Sequence, residues 1–484
     1  LLELDGLLED LGTGDTVQIS GLDVDPDLDL RGRLSGEEGY VPLGLRLAVA
    51  AAAGAQVRIL IAGKVNARSL PLGSLDEFRT NVRYADRLRS WRIPGRPSTT
   101  EPPLAHSVLQ DYSGPLLGSN HQKVVVIRRA GRLTAFVGGI DLVPERFDGG
   151  THDQLQLDGR RWGWHDAAVR LRGPAAARVH DILVQRWTEA TTLPRRWYPR
   201  LHPPRLRAIN PAHPAAALAP AGAADQQASE AADPGVAVRV LRSVPAAKIY
   251  SVIPGRGLPW ATLPDGGVHE VYQSLVHALG AARRYVYLED QYLHEYVGGN
   301  RDFELYSHLR NAAQRGVKVI LIGSGVRDPD DPGLFVRPIN RTLNRDLQRK
   351  IVNQLDAAGA QNFVLHRIEH LTVHAKIVLV DDVFACIGSA NMFSRSMSGA
   401  DSEVSTSVTS DGSLVRDLRV QLWAEHLRAP LNPQLRSSLE DLDLALGIWR
   451  REWLPADRPA RSWLDAGCPE GFAPTESVLR RVWP

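Results

Sequence analysis

Apolar positions along the chain fall into a pattern that occurs twice. In the first half, Gly54-Ala55-Gln56-Val57-Arg58-Ile59-Leu60-Ile61 follows an alanine-rich run. In the second, Gly316-Val317-Lys318-Val319-Ile320-Leu321-Ile322 follows Asn311-Ala312-Ala313-Gln314-Arg315. Each reads as a helix ended by glycine and then a buried strand. Further on, His121-Gln122-Lys123-Val124-Val125-Val126-Ile127 is answered by His374-Ala375-Lys376-Ile377-Val378-Leu379-Val380. From the first strand's valine to the histidine is 64 residues in the first half (Val57 to His121) and 57 in the second (Val317 to His374). Similar offsets in the same order predict a duplicated α/β unit.

Between the copies, from about 201 to 235, Pro203, Pro204, Pro211, Pro214 and Pro220 alternate with alanines without periodicity, which reads as a linker or surface excursion. The expected organisation is a first lobe over 1–200, this linker over 201–235, a second lobe over 236–430 and a tail over 431–484 packed on the lobes. No run reaches the roughly 18 apolar residues of a membrane span. Leu1 to Leu11 is acidic and amphipathic, unlike a secretory signal. The reading leans to a soluble, cytoplasmic chain, with a removed signal left open.

Charge and composition narrow the chemistry. With 57 basic and 55 acidic residues the net charge is +2, which argues against a protein that grips nucleic acid by neutralising many phosphates. Cys386 and Cys468 cannot form a disulfide framework, and no Cys/His run has zinc-site spacing. Cys386, inside Val383-Phe384-Ala385-Cys386-Ile387, reads as a small buried hydrophobe. Only six basic residues are lysine (Lys64, Lys123, Lys248, Lys318, Lys350, Lys376), and two of them occupy matched positions of the repeat. A compact ammonium and a planar guanidinium are not equivalent, so Lys123 and Lys376 stand out from an arginine-rich background.

In a strand, residues i and i+2 share a face, so His121 points with Lys123 and His374 with Lys376. An imidazole and an ammonium on one face, supplied twice, suit an anion that needs both proton transfer and charge neutralisation. A glycine-led segment follows each strand: Gly138-Gly139-Ile140-Asp141, then Gly388-Ser389-Ala390-Asn391. Glycine permits close backbone approach, and Asn391 offers an amide donor to a phosphoryl oxygen. A carboxylate comes next: Trp164-His165-Asp166 and Asp401-Ser402-Glu403.

These residues resemble the phospholipase D superfamily, whose pattern is His-x-Lys-x4-Asp followed by a Gly-Ser/Gly-x-Asn segment, present twice. The second copy carries it in full with His374, Lys376, Asp381, Gly388, Ser389 and Asn391. The first keeps His121 and Lys123 but has Arg128 where the pattern has Asp, and Asp141 where it has Asn. Seven positions after His121, Arg128 is expected to face away from the His/Lys surface, so its loss reads as structural. Tyr287-Leu288-Glu289-Asp290-Gln291-Tyr292 is similar to the family's Ile-Glu-Asn-Gln segment, and Gly139-Ile140-Asp141-Leu142 with Trp164-His165-Asp166 resembles the true phospholipase D branch. The likeness runs from about residue 15 to 430.

The resemblance implies an α/β fold of two similar lobes, each a mixed β-sheet flanked by helices, related by a pseudo-twofold with the active site at their interface. It implies cleavage of a phosphodiester through a phosphohistidine, with His121 as nucleophile and His374 as general acid. Lys123 and Lys376 would neutralise non-bridging oxygens, while Asp166 and Glu403 would orient His121 and His374 respectively. Ser389, Asn391, Gly139 and Asp141 are expected to contact substrate, and Asp381 and Gly388 to be structural. No cofactor or metal is implied.

The expected reaction is hydrolysis of a phosphatidylcholine-like lipid to phosphatidate, with headgroup exchange as a variant, at a membrane or micelle surface reached by apolar loops within 64–118 or 325–345. A metal-independent nuclease or other phosphodiesterase of the same fold, and a catalytically decayed binding scaffold, are the alternatives. Retention of both His/Lys pairs speaks against decay, and nucleic acid is the less expected partner. Cardiolipin synthase is not expected, because its usual N-terminal membrane segments are absent. Both motifs lie in one chain, so a monomer suffices. His165 reads as structural, Trp162, Trp164, Tyr287 and Tyr292 as core or rim, and the pairs Arg128-Arg129 and Arg195-Arg196 as solvated.

Overall fold

The computed structural model of the chain describes residues 1–63, 74–111, 119–148, 163–192, 220–222, 225, 235–245, 267–291, 301–324, 350–368, 371–399, 401–427, 433–450 and 460–462. The first half contains α1 (Leu2–Leu7), β1 (Thr16–Gly21), α2 (Leu43–Ala52), β2 (Gln56–Ala62), α3 (Ser74–Arg89), β3 (Val108–Asp111), β4 (Val124–Arg129), β5 (Arg132–Gly138), β6 (Gly163–His165), β7 (Ala168–Arg172) and α4 (Gly173–Thr192). The second half opens with β8 (Val236–Val244), β9 (Val268–His269), α5 (Glu270–Ala281), β10 (Tyr285–Asp290), α6 (Tyr306–Gln314), β11 (Lys318–Ser324) and α7 (Ala357–Ala360). It continues with β12 (Phe363–Ile368), β13 (Leu371–Val373), β14 (Ile377–Val380), β15 (Phe384–Gly388), α8 (Ser394–Met397), β16 (Glu403–Ser410) and α9 (Leu414–His426). The tail supplies α10 (Pro433–Glu440), α11 (Leu442–Arg450) and β17 (Ala460–Ser462).

The strand orders of the two sheets are consistent with the predicted duplication. One has the order β3-β2-β1-β4-β5-β7, and the other contains β12-β11-β10-β14-β15-β16, extended by β8 and β9 at one edge and β17 at the other. In both, the first three strands are mutually parallel and the next three antiparallel. Helices cover both faces, which is why the central strands read as continuous apolar runs rather than alternating ones. Val125 and Ile127 pack with Leu43 and Leu47 of α2, while Val124 and Val126 pack with Ala176 and Val179 of α4. Likewise Val378 and Val380 meet Leu275 of α5 and Leu309 of α6, while Ile377 and Leu379 meet Trp423 of α9 and Leu446 of α11. Among the described residues no helix is long and apolar enough to cross a membrane.

The tail is more than a cover, because β17 pairs antiparallel with β12 and joins the second sheet. Residues 112–118, 64–73 and 325–345, where membrane-facing loops were expected, lie outside the described residues. The intervening stretch 74–111 holds α3 and β3. The 201–235 segment is also largely outside them, but Asp225 is described and forms a bidentate pair with Arg128. Arg128 is therefore an ion-paired side chain and not the solvated one expected, and Arg129 donates to the Gly6 carbonyl at 2.9 Å. Arg195 and Arg196 lie outside the described residues.

The two halves are stitched together beside the histidines. β6 of the first half pairs in parallel with β13 of the second, Val373 opposite His165. On the other side Asn120 bridges Ser402. Val404 of β16 is buried in the first half's core with Val124 and Ala177, so the halves share packing and not only hydrogen bonds.

Candidate active site

Each histidine sits where a chain segment crosses from one half to the other. His121 donates its backbone N–H to the Ser402 carbonyl (3.0 Å), and His374 donates its own to the His165 carbonyl (2.8 Å). The residue after each carbonyl is the carboxylate. Glu403 places both oxygens 3.0 Å from His121 Nδ1, and Asp166 Oδ2 lies 2.7 Å from His374 Nδ1. Carboxylates only accept, so Nδ1 carries the proton in both rings and Nε2 is the nitrogen left for chemistry.

The expected pairing of Asp166 with His121 and Glu403 with His374 is thus corrected: the carboxylates are exchanged between halves. The cause is topological. Parallel pairing of β6 with β13 ends with Asp166 beside His374, and the Asn120–Ser402 bridge ends with Glu403 beside His121. Separations of 208 and 282 residues hide this from any reading of spacing.

The lysines are deeply buried. Lys123 Nζ donates to the His121 carbonyl (3.3 Å) and lies 3.4 Å from Asp141 Oδ2. Lys376 Nζ donates to the His374 carbonyl. Burial pulls the Lys376 ammonium down to about 8, against the opposing pull of Asp166 and Asp290. Asp141 resists the upward push of burial and is held below the ordinary carboxylate range by Lys123 and Arg146. Asp166 is pushed up by its burial, in spite of Lys376. His374 is held well below its ordinary value by burial, then by Lys376, Arg146 and Lys123, so it is neutral in the free site.

Several expected substrate contacts have other occupations. The Ser389 hydroxyl donates to Glu403 Oε2 at 2.6 Å, and its carbonyl lies 3.1 Å from His121 Nδ1. Asp141 is the counter-ion of Lys123 and accepts the Asp23 N–H at 3.3 Å. Gly139 leaves space: a Cβ there would lie 2.1 Å from Asp166 Oδ1. Gly388 does the same for the β16 backbone, since its Cβ would come 2.4 Å from the Ser405 Cα. Asn391 is buried, and its Oδ1 has no hydrogen-bond partner among the described residues.

Asp381 meets the backbone at a turn. It opens the β14–β15 turn at φ 54° and accepts the N–H groups of Arg283, Arg284 and Tyr285 at 2.8, 2.9 and 2.8 Å, closing the entry to β10. In the first half that corner is closed from the opposite strand: Asp15, just before β1, accepts the Ala130 N–H at 2.9 Å. Arg128 is then free to pair with Asp225.

Three contributors were not singled out from sequence. Ser396 on α8 donates to Glu403 Oε1 at 2.6 Å, the second of two hydroxyls fixing that carboxylate. Asp290 accepts the Met392 N–H at 2.7 Å and supports the charge on Lys376. Arg146 adds a third cation, its guanidinium 3.5 Å above the ring of Trp164, which in turn lies 5.1 Å from the ring of His374. Trp164 is buried under Arg146, as the core reading expected, so that face is not open to a ligand cation. Trp162 and Tyr292 lie outside the described residues, while Tyr287 is buried core. Cys386 is buried, its thiol pushed up to about 12 by desolvation.

A family profile described as cardiolipin synthase, phospholipase D-like domain, matches residues 275–424, the half with the complete motif. The chain is similar to phospholipase D alpha 2 of Arabidopsis thaliana, with 23% identity over 429 residues covering 66% of this chain and 50% of that one. It is also similar to phospholipase D alpha 1 of Ricinus communis, at 22% over 448 residues covering 68% and 52%. The chain thus spans about half the length of these relatives. Among solved structures, the phosphatidylserine synthase of Haemophilus influenzae Rd KW20 aligns with a TM-score of 0.51 at 13% identity, covering 88% of this chain and 82% of that one, a likeness of fold.

Proposed function

This chain belongs to the phospholipase D superfamily, and from that premise we propose that it is a phosphodiesterase acting on a phosphatidylcholine-like glycerophospholipid, releasing the headgroup and leaving phosphatidate. The observation that carries the reading is the crossed pair of dyads: two histidines, each with Nδ1 fixed by a carboxylate from the other half and each followed two residues on by a buried lysine.

In the proposed reaction the Nε2 of one imidazole attacks phosphorus, forming a P–N bond while the bond to the headgroup oxygen breaks. The second histidine gives its proton to that oxygen. It then takes a proton from water, whose oxygen attacks phosphorus and breaks the P–N bond; an alcohol in place of water gives headgroup exchange. Lys123 and Lys376 balance charge on the non-bridging oxygens in the five-coordinate transition state, where fixed cations inside a buried site are most effective. Asp166 and Glu403 hold the rings in tautomer and orientation.

By resemblance His121 is the nucleophile and His374 the acid. A second reading exchanges them, because His374 is the ring held neutral in the free site and an attacking imidazole must be neutral. Alkaline quenching during turnover followed by peptide mapping separates the two: phosphate on His121 supports the first, phosphate on His374 the second, and phosphate on neither refutes the covalent scheme. For the substrate, choline release from mixed micelles is expected, and His121→Ala and His374→Ala should each lower it by about 10³-fold or more. Degradation of single-stranded DNA without added metal, with no headgroup release, would replace the lipid reading by the nuclease one.

A further inference from the structure

Next to the dyads lies a second set of buried ionisable side chains that the proposed chemistry does not use. His165, the last residue of β6, places Nε2 2.7 Å from Glu289 Oε2 on β10 and Nδ1 2.6 Å from Glu425 Oε1 on α9. The other oxygen of Glu289 accepts from the Tyr287 hydroxyl (2.5 Å) and lies 2.9 Å from His426 Nε2. The two imidazoles meet edge to face, 4.7 Å between centroids. His165, Glu289 and His426 are all buried, at 4%, 0% and 2% exposure.

We propose that the buried chain Glu425–His165–Glu289–His426 is a positioning device for His374. It would anchor the β6–β13 crossover so that the Asp166–His374 hydrogen bond is held in register. Two features direct the proposal to His374 rather than to stability at large. The His165 carbonyl accepts the N–H groups of both His374 (2.8 Å) and Ala375 (3.0 Å), and the next residue is Asp166 itself. Backbone and side chain of His374 therefore both hang on the placement of His165. Among the described residues β6 is three residues long and its two-stranded sheet contains only β13, too little ladder to fix a position by itself. Anchoring the His165 ring at both nitrogens to two different elements of the second half supplies the missing constraint. Buried charges are weak stabilisers overall, and fixing register is their best-attested use.

His165, Glu289 and His426 also bring ligand-type atoms within 4.8 Å of one another. A metal is nonetheless not the reading. A ring with a carboxylate at each nitrogen must donate from both, so His165 is an imidazolium with no lone pair to offer. The direction of its titration agrees: against the downward pull of burial, Glu289 and Glu425 together hold it well above the ordinary histidine range.

The proposal rests on the phosphodiesterase reading for its kinetic readout but has a second readout independent of turnover. Glu289→Gln keeps shape and removes charge. Turnover is expected to fall about 10²-fold at unchanged KM, the scale of a misplaced catalytic group. The downfield Nδ1–H proton resonance of His374, assigned by its loss in His374→Gln, should shift or broaden. Leu275→Ala, a core truncation under α5 far in sequence from the crossover, is the control: it should lower the melting temperature while leaving turnover and the resonance unchanged. If Glu289→Gln does not fold, His426→Gln, which removes only the outer donor, should give a smaller effect in the same direction. A melting shift with turnover and resonance both intact would overturn the proposal. So would stoichiometric zinc uptake abolished by His426→Gln. If the wild type cleaves no phosphodiester yet the resonance moves in Glu289→Gln, the phosphodiesterase reading fails and the positioning of His374 stands.

Discussion

Gly139→Ala isolates the Asp166–His374 contact with a single methyl group. The new Cβ would sit 2.1 Å from Asp166 Oδ1 and 3.0 Å from its Cγ, and real Cβ contacts essentially never fall below 3.0 Å. The carboxylate must therefore retreat by roughly 0.9 Å, the difference between those distances. It moves as a rigid planar group, so Oδ2 goes with Oδ1, and the 2.7 Å bond to His374 Nδ1 lengthens toward 3.6 Å, where a hydrogen bond is effectively lost. Displacements of about 1 Å at a catalytic group reduce rates by about 10²-fold, equivalent to about 2.7 kcal/mol of barrier. Little stability should be lost, because the atom met is the tip of a short side chain. Gly388→Ala provides the contrast. There the Cβ meets the Ser405 Cα of β16 at 2.4 Å, so backbone must yield and the expected damage is to folding. Headgroup-release kinetics beside melting curves give the answer: Gly139→Ala with wild-type turnover would refute the idea that this glycine exists to admit Asp166.

Lys123→Arg should lower turnover by about 10²-fold, since a site 1% exposed beside Asp141 has no room for a planar fork, and full retention would make the lysine incidental. Arg128→Asp sets a carboxylate against Asp225 and should lower stability by about 1–2 kcal/mol in denaturant titrations, with turnover unchanged; a gain in turnover would show the first copy to be impaired as written. Because the Lys376 ammonium is depressed to about 8, its charge is present below that pH and lost above it. The ratio kcat/KM should accordingly fall as pH rises through about 8, and a plateau to pH 10 would exclude Lys376 as the group that balances phosphoryl charge.

Much of this site could be read from the chain alone, for a definite reason. Strand periodicity fixes which residues share a face, so His121 with Lys123 and His374 with Lys376 follow from local order, whereas a structural part for Asp381 came only from the family resemblance. Repetition supplied the second constraint, since two copies of one strand pattern suggest two copies of one sheet, and the six strands of the first sheet match six of the second in order and sense. Local periodicity has no term for what lies opposite a face. That is why Ser389 and Asp141 read as substrate contacts when they support Glu403 and Lys123, and why Ser396 and Arg146, which carry no motif, went unread.

The exchange of carboxylates marks the boundary most clearly. Sequence order placed Asp166 in the half of His121 and Glu403 in the half of His374, and nothing in either segment says otherwise. Only the docking of the halves, through the β6–β13 pair and the Asn120–Ser402 bridge, brings each carboxylate to the other's histidine. The chemical groups and their orientation along each strand can be read from the order of residues, because they depend on bonds between neighbours. Tertiary structure decided which groups act on one another, because that depends on packing between segments more than 200 residues apart.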